Sequence, residues 1–452
     1  MPVSLDQSIR SDSLDFAAIA SDMQGNIVKS HGRHHANHIF LKFTDPQVTR
    51  AFLRSKLSKM LTTAAKQQDN IEAFRENKSK RFRTFANFHL SAAGYAFLEI
   101  DADKIPADAQ FRAGAKASIA RLADPATDDW QKEFREDWHA LVIIANASKN
   151  HTAARTRSFL KLLGNAGILA ESHTEKGAGI KNKAGDAIEH FGYVDGISQP
   201  QLLSDKVEDG KITTENWNPL TPLSSALIRD PGGKDENALG SYFVFRKLEQ
   251  NVKAFHEAEK ALAEQLNISV EHAGAQMVGR FKSGVPLTLV RPPQPYPTQA
   301  NDFDYREDSG RGSMCPFHAH IRKTNPREKE SDRRHLFVRR GITYGKDFTR
   351  SREQPTAGVG LLFMCHNSDI SSQFEFMQRS WSNNVNFPFS RDNSPHGIDP
   401  IIGQGADDEG QNYFTKWNDD ATETRLPAVG RFVTMQGAEY FFTPSISFLK
   451  SL

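Results

Sequence analysis

Short apolar strands recur along this chain with helices set between them, and their order limits the possible folds more than any other feature of the sequence. Residues 34–43 end in alternation: Ile39, Leu41 and Phe43 face one way, His38, Phe40 and Lys42 the other, the period-two pattern of a strand. Thr44-Asp45-Pro46 then predicts a helix start, because proline is tolerated at the first helical position. Val48, Phe52, Leu53, Leu57 and Met60 keep helical spacing behind it. Residues 84–91 read as a strand whose Ser91 caps the following helix. The stretch 139–144 is short and so apolar that both of its faces should be buried. A helix over about 150–164 and a strand from about 167 complete the series. Strand, helix, strand, strand, helix, strand is the split pattern of a ferredoxin-like unit.

The second half repeats the order without visible sequence identity. Residues 241–250 read as a strand and 249–280 as helical. Strands are expected at 318–323, 334–345 and 359–365, helix at 369–381, and a closing strand at 431–437. The expected class is α+β: two ferredoxin-like halves, 1–200 and 201–452, with antiparallel sheets packed together. Three long loops rich in Pro and Gly, 216–236, 284–316 and 383–412, surround the later strands, and loops of that length in a compact domain are usually functional.

Composition removes several function classes. A net charge of +2 with scattered Lys and Arg gives no field to recruit nucleic acid. No stretch approaches the roughly 18 apolar residues of a membrane helix. The N-terminus shows neither a basic region followed by an apolar run nor a twin-Arg pair, so a cytoplasmic protein is expected. Two cysteines, Cys315 and Cys365, form no disulfide framework and read as reduced core residues. The 31 Phe against 8 Tyr and 5 Trp predict a Phe-rich core, and such residues also suit a flat apolar cofactor.

Four short motifs carry chemistry. In Phe191-Gly192-Tyr193-Val194-Asp195-Gly196, an Asp near two glycines sits on backbone able to turn sharply and lie close to a flat ligand. A plain turn in which Asp195 bonds its own backbone fits those residues as well. In Cys315-Pro316-Phe317-His318-Ala319-His320-Ile321-Arg322, a strand would put His318 and His320 on one face. Those two with Cys315 make three zinc-type ligands; one His alone on an apolar strand would suit haem iron. Arg339 and Arg340 should point to opposite faces of a strand, and an inward Arg requires a partner: peroxide, a propionate or a structural carboxylate. Leu361 and Phe363 share one face of an apolar strand.

The order and spacing of these motifs say more than any one of them. Gly-x-x-Asp-Gly, then Ala-His-Ile-Arg, then Arg-Arg-Gly nineteen residues past His320, then Gly-Leu-Leu-Phe, resembles the dye-decolorizing peroxidase family. Asp22-Met23-Gln24-Gly25-Asn26-Ile27 resembles that family's N-terminal signature, and Gly397-Ile398-Asp399-Pro400-Ile401-Ile402-Gly403 a late one. The resemblance spans about residues 20–445.

The resemblance implies haem b held between the sheet and the helices of the C-terminal half. It implies His320 as the iron ligand, Asp399 as the acceptor for that ring's other nitrogen, and Asp195 and Arg339 as the residues acting on hydrogen peroxide. Leu361 and Phe363 would line the pocket beside the peroxide. Dyes, phenols and similar one-electron donors would be the reducing substrates, oxidised best at acidic pH because the base is an aspartate. Trp381 and Tyr344 are the expected relays to bulky dyes at the surface. His318 departs from the expected pattern, standing where a small or apolar residue should be. Two alternatives stay open: a haem-handling protein with little peroxidase turnover, and a non-haem metalloprotein using Cys315, His318 and His320.

Overall fold

The computed structural model describes residues 1–76, 83–289, 301–348, 351, 353–391, 393–405 and 410–452. The strands of its main sheet that form the barrel are β1 (His35–Phe43), β2 (Phe85–Ser91), β3 (Ala140–Asn146), β4 (Leu169–Ala178) and β5 (Leu239–Gln250). They continue with β6, in two pieces (Val338–Arg339 and Ile342–Tyr344), β7 (Gly360–Asn367) and β8 (Val433–Thr443).

Within the first half the lateral order is β2-β3-β1-β4; within the second it is β8-β5-β7-β6. Numbering each half's strands one to four gives the ferredoxin-like order both times, and every pairing is antiparallel. The halves meet edge to edge: β8 pairs with β2 at Phe441↔Ser91 and Phe442↔Leu90, and β4 with β6 at Gly177↔Tyr344. Since β5 pairs with both β8 and β7, the ring closes into one barrel. Closure removes exposed sheet edges.

Eight strands leave an interior just wide enough for side chains. Phenylalanines fill it: Phe40 lies 4.9 Å from Phe245, edge to face, and 6.3 Å from Phe441. β3 is buried at every position, as its apolar run predicts. Helices cover the outside. α1 (Pro46–Phe52) begins at Pro46, with Asp45 capping Val48 N; Ser91 likewise caps Gly94 N. α2 (Lys149–Asn165) covers β3 and β1. The helical stretch 249–280 is two helices, α3 (Val252–Leu266) and α4 (Val270–Val278), broken where Asn267 turns left-handed and Ser269 caps the next. Residues Ser371–Glu375 and Met377–Ser382 are helical with wide π turns.

The expected strand at 318–323 is not one. Ala319 N bonds Pro316 O at 3.1 Å in a turn, and α5 (His320–Thr324) starts at His320. Arg322 Nη1 donates to Asp308 at 2.8 Å and to the Cys315 carbonyl at 2.6 Å, which folds the segment back on itself. A 3-10 helix, Glu330–His335, likewise replaces the start of the strand expected from 334. Parts of the long loops, 290–300, 392 and 406–409, lie outside the described residues. Cys315 and Cys365 are both free and buried, and burial pushes each thiol up to about 12, so neither is a ready nucleophile. No helix among the described residues is long and apolar enough to cross a membrane.

Candidate active site

One register fixes the orientation of the paired arginines. Across β6 and β7, Arg339 faces Cys365, Ile342 faces Leu362 and Thr343 faces Leu361, so both pieces of β6 keep one antiparallel register. Alternation then puts Arg339, Leu361 and Phe363 on the outer face, where all three line a cavity of about 220 Å³. Arg340 points the other way and donates to the carbonyls of Asn26 and Ile27 near the chain start. Its partner is backbone, and burial pushes its guanidinium down to about 9.

The cavity lies between the outer face of the second half's strands and the helices over them. Leu248 and Gln250 of β5, Val433 of β8, Val278 of α4 and Ile321 and Thr324 of α5 all border it. The loop that carries Asp195 closes one side. Gly192 and Gly196 take positive φ, 94° and 81°, which places the aspartate on a tight, unencumbered turn. Asp195 Oδ1 accepts from Arg339 Nη1 at 3.0 Å and from Gly196 N at 2.6 Å. Asp195 Oδ2 has no hydrogen-bond partner among the described residues. Arg339 Nη2 is anchored on Ser198 O at 3.0 Å and its backbone N on Gln199 Oε1 at 3.1 Å.

His320 borders the same cavity from the first turn of α5. Its Nδ1 lies 2.8 Å from Asp399 Oδ2, which leaves Nε2 available to the cavity. Asp399 is itself fixed, since its Oδ1 accepts from Ile401 N at 2.8 Å and Ile402 N at 3.1 Å.

The sequence matches put a family behind this geometry. Residues 22–178 match the DyP dimeric alpha+beta barrel domain and residues 186–388 the C-terminal domain of Dyp-type peroxidases. A multifunctional dye peroxidase from Amycolatopsis sp. is 41% identical over 100% of both chains. Its solved structure superposes with a TM-score of 0.92 at 40% identity over all of both chains. A DyP-type peroxidase from Anabaena sp. gives 0.90 at 38% identity, covering 99% of this chain and 97% of that one. The chain belongs to the dye-decolorizing peroxidases.

Members of this family use haem, and the cavity's chemistry fits that group. Haem is suited by an axial donor such as imidazole for its iron, an apolar wall for the macrocycle and cations for its carboxylates. His320 supplies the first, and Phe337, Leu361, Phe363 and Met377 belong to the second. For the third, Arg327 borders the cavity 4% exposed, bonded to Ser198 Oγ, Asn301 and the Phe303 carbonyl, with no carboxylate partner among the described residues. Burial pushes its guanidinium down to about 9, a cost that an anion in the cavity would offset. Arg280, 5% exposed on the same wall, is pushed down to about 10. The sequence reading missed both arginines, because nothing local marks a loop arginine as inward-facing.

His318 does not share the site. It is 0% exposed, lies edge-on to Tyr413 at 4.7 Å, and does not line the cavity. Burial pushes its pKa well below the ordinary value, so it stays neutral. Among the described residues no group of three or more His, Cys, Asp or Glu could hold a metal, so Cys315, His318 and His320 are not assembled into one centre.

Neither expected relay stands on the surface. Tyr344 is 7% exposed; Lys247 Nζ sits 4.9 Å from its ring, and its hydroxyl has no partner among the described residues. Trp381 is 3% exposed but borders a second cavity, stacked on Phe387 at 5.2 Å and edge-on to His335 at 5.3 Å. His335 borders both cavities, and Phe389, 61% exposed, stands at the outer end of this row of rings.

Proposed function

We propose that this protein is a haem b peroxidase in which His320 holds the iron, Asp195 moves the proton of hydrogen peroxide, and Arg339 stabilises the charge released as the O–O bond breaks. The observation that carries the reading is the convergence of His320, Asp195 and Arg339 on one cavity, with Asp399 behind the imidazole. Haem supplies the redox chemistry, accepting the oxidising equivalents of peroxide and passing them to one-electron donors.

The protein's own groups handle protons and charge. Asp195 Oδ2 is free to take a proton from one peroxide oxygen and return it to the other, which leaves as water. Arg339, held against Asp195 and Ser198 O, meets the negative charge on that departing oxygen without reorganising. Leu361 and Phe363 keep bulk water from the reacting atoms. Asp399 orients His320 and makes its ring a stronger donor to iron. Arg327 and Arg280 would pair with the propionates. Bulky dyes and phenols would deliver electrons at the second cavity, through Trp381 and His335; small donors would reach the main one.

The test begins with the absorption spectrum of reconstituted protein. An intense Soret band is expected, lost in His320→Ala and kept in His318→Ala. Loss of the band in His318→Ala alone would name the wrong ligand. A haem-loaded protein with no steady-state turnover of peroxide would favour the haem-handling alternative.

A further inference from the structure

Three groups of the loop that carries Asp195 hold Arg339. Asp195 Oδ1 takes its Nη1 at 3.0 Å, Ser198 O takes Nη2 at 3.0 Å, and Gln199 Oε1 takes the backbone N at 3.1 Å. Ser198 has a second engagement that nothing in the function above uses. Its Oγ accepts from Arg327 Nη2 at 2.9 Å, and the Asn325 amide lies 3.3 Å from the same oxygen. A guanidinium only donates, so both serine oxygens act as acceptors, the carbonyl toward Arg339 and the hydroxyl toward Arg327. Ser198, Arg327 and Arg339 all border the main cavity.

The rest of Arg327 is held by a different loop. Nη1 donates to Asn301 O and Phe303 O, each at 2.8 Å, Nη2 donates to Asn301 Oδ1 at 2.6 Å, and the guanidinium lies 4.1 Å from the Phe303 ring centre. Arg327 also takes a left-handed φ of 54°, which a residue with a Cβ adopts at a cost. Asn325, two residues earlier, follows directly on α5, whose first residue is His320. Among the described residues, the Ser198 hydroxyl is what joins Arg327 to the Asp195 loop. Two guanidiniums are thereby bonded to one serine, with Asp195 answering Arg339 and, among the described residues, no carboxylate answering Arg327. Like charges so placed repel each other, more strongly once the cavity is filled and water is displaced.

We propose that Ser198 is a positioning residue that ties the carboxylate-binding end of the cavity to its peroxide-handling end: an anion on Arg327 relieves the repulsion, and the serine then holds Arg339 at Asp195. Haem would supply that anion from its own carboxylates. Without the hydroxyl, Arg327 and the Asp195 loop come apart, and Arg339 keeps its carbonyl partner only while the loop stays in place. Without the anion, the same two guanidiniums push against each other across an intact serine. Both losses should displace Arg339 in the same way, and together they should do little more than either alone.

The inference rests on the haem reading proposed above, and its test reads the position of Arg339 separately from turnover. Parent, Ser198→Ala and Ser198→Thr are each loaded with haem and with haem whose two carboxylates are methyl esters. Carbon monoxide on the reduced iron reports a nearby guanidinium through its infrared stretch, and stopped flow with peroxide gives the rate. In Ser198→Ala with ordinary haem the stretch should move to higher frequency and the peroxide step should slow about tenfold, the loss expected when a reacting group is misplaced by a fraction of an ångström. The parent with esterified haem should show the same shift and slowing with no residue altered, so this arm stands even where the Ala variant folds poorly. Ser198→Thr restores the hydroxyl and should behave as the parent does with either haem. Ser198→Ala with esterified haem should be no more than about twofold slower than with ordinary haem. An unshifted stretch in Ser198→Ala, or losses from Ala and ester that multiply in full, overturns the coupling. Ser198→Thr as slow as Ser198→Ala assigns the effect to packing and overturns it too. A parent that holds haem and gives the shifts but ignores peroxide overturns the peroxidase reading and leaves the placement of Arg339 as inferred. A parent that binds no haem removes the reading and the inference together.

Discussion

His320 and Asp399 are 79 residues apart in sequence and 2.8 Å apart in space, Nδ1 to Oδ2. The carboxylate's other oxygen is committed to Ile401 N and Ile402 N, so it cannot swing away from the imidazole. Asp399→Asn preserves that loop contact but presents an amide to His320. Carboxylates behind a metal-bound imidazole are commonly worth about 10–100-fold in affinity, so haem should leave the variant about that much faster. Transfer of haem to an acceptor protein measures it; an unchanged rate would make Asp399 a loop anchor only.

Arg339 and Arg340 separate by face, and their substitutions should separate by effect. Arg339→Leu removes the cation beside Asp195 and should slow the spectral change on mixing with peroxide by about 10²–10³-fold. Arg340→Leu strips the Asn26 and Ile27 carbonyls of their donor and should cost on the order of 1–3 kcal/mol of stability with little change in rate. Equal kinetic damage from both would remove the strand-facing argument.

That argument could be made from sequence because alternation along a strand is a local rule. The same rule put Leu361 and Phe363 on one shared face, though their place beside Arg339 was implied only by the family resemblance, and Ser91 and Pro46 announced their helix starts. It misled at 318–323, where Phe317, Ala319 and Ile321 alternate like a strand while the backbone turns into a five-residue helix. A helix shorter than two turns has no period to read, and what bends the chain there is Arg322 reaching Asp308, fourteen residues away. The joining of the two halves was equally hidden. Its register rests on the few residue pairs between β8 and β2 and between β4 and β6, which connect residues as far apart as Ser91 and Phe441 or Gly177 and Tyr344. Arg327 gave no local signal, since its place on the cavity wall comes from where its loop brings it.

Acid should stabilise this fold through one buried carboxyl far from the chemistry. Glu439 on β8 is 6% exposed, accepts from Tyr440 N at 2.9 Å, and is lifted to about 7 by burial. An acid with a raised folded pKa contributes stability below its unfolded value, near 4.3, and loses it as pH rises toward about 7. Glu439→Gln removes that dependence. The variant should gain on the parent between those limits, by on the order of 1–3 kcal/mol at neutral pH, and show no such gain in acid. Thermal melts across pH decide it, and a gain confined to acid would reverse the sign argued here.

Dye oxidation should depend on Trp381 and not on Tyr344. The rings of His335, Trp381, Phe387 and Phe389 run from the main cavity's wall to the surface, whereas Tyr344 has no partner for its hydroxyl proton. Oxidising a phenol without a proton acceptor costs the energy of a buried cation. Trp381→Phe should lower turnover of a bulky dye severalfold and spare the reaction with peroxide, and Tyr344→Phe should do neither. Full dye turnover in the Trp381 variant would move the oxidation to another surface.

Asp195→Asn tests the proton transfer itself. The carboxylate offers Arg339 and Gly196 one oxygen and keeps the other free, and asparagine preserves that shape while losing the base. As a class, carboxylates stay ionised at acidities where imidazole bases are already protonated, so an aspartate-based peroxidase should be most active in acid. The Asn variant should keep its Soret band and lose about 10²–10⁴-fold in peroxide turnover at acidic pH, since Arg339 remains to stabilise charge but nothing moves the proton. The two contributions can then be told apart by combination. If Asp195 and Arg339 act as one unit through their 3.0 Å contact, the double variant with Arg339→Leu should be barely slower than Asp195→Asn alone. Effects that multiply would mean that each residue works on peroxide independently, and undiminished acid activity in Asp195→Asn would hand the proton to a water held by Arg339.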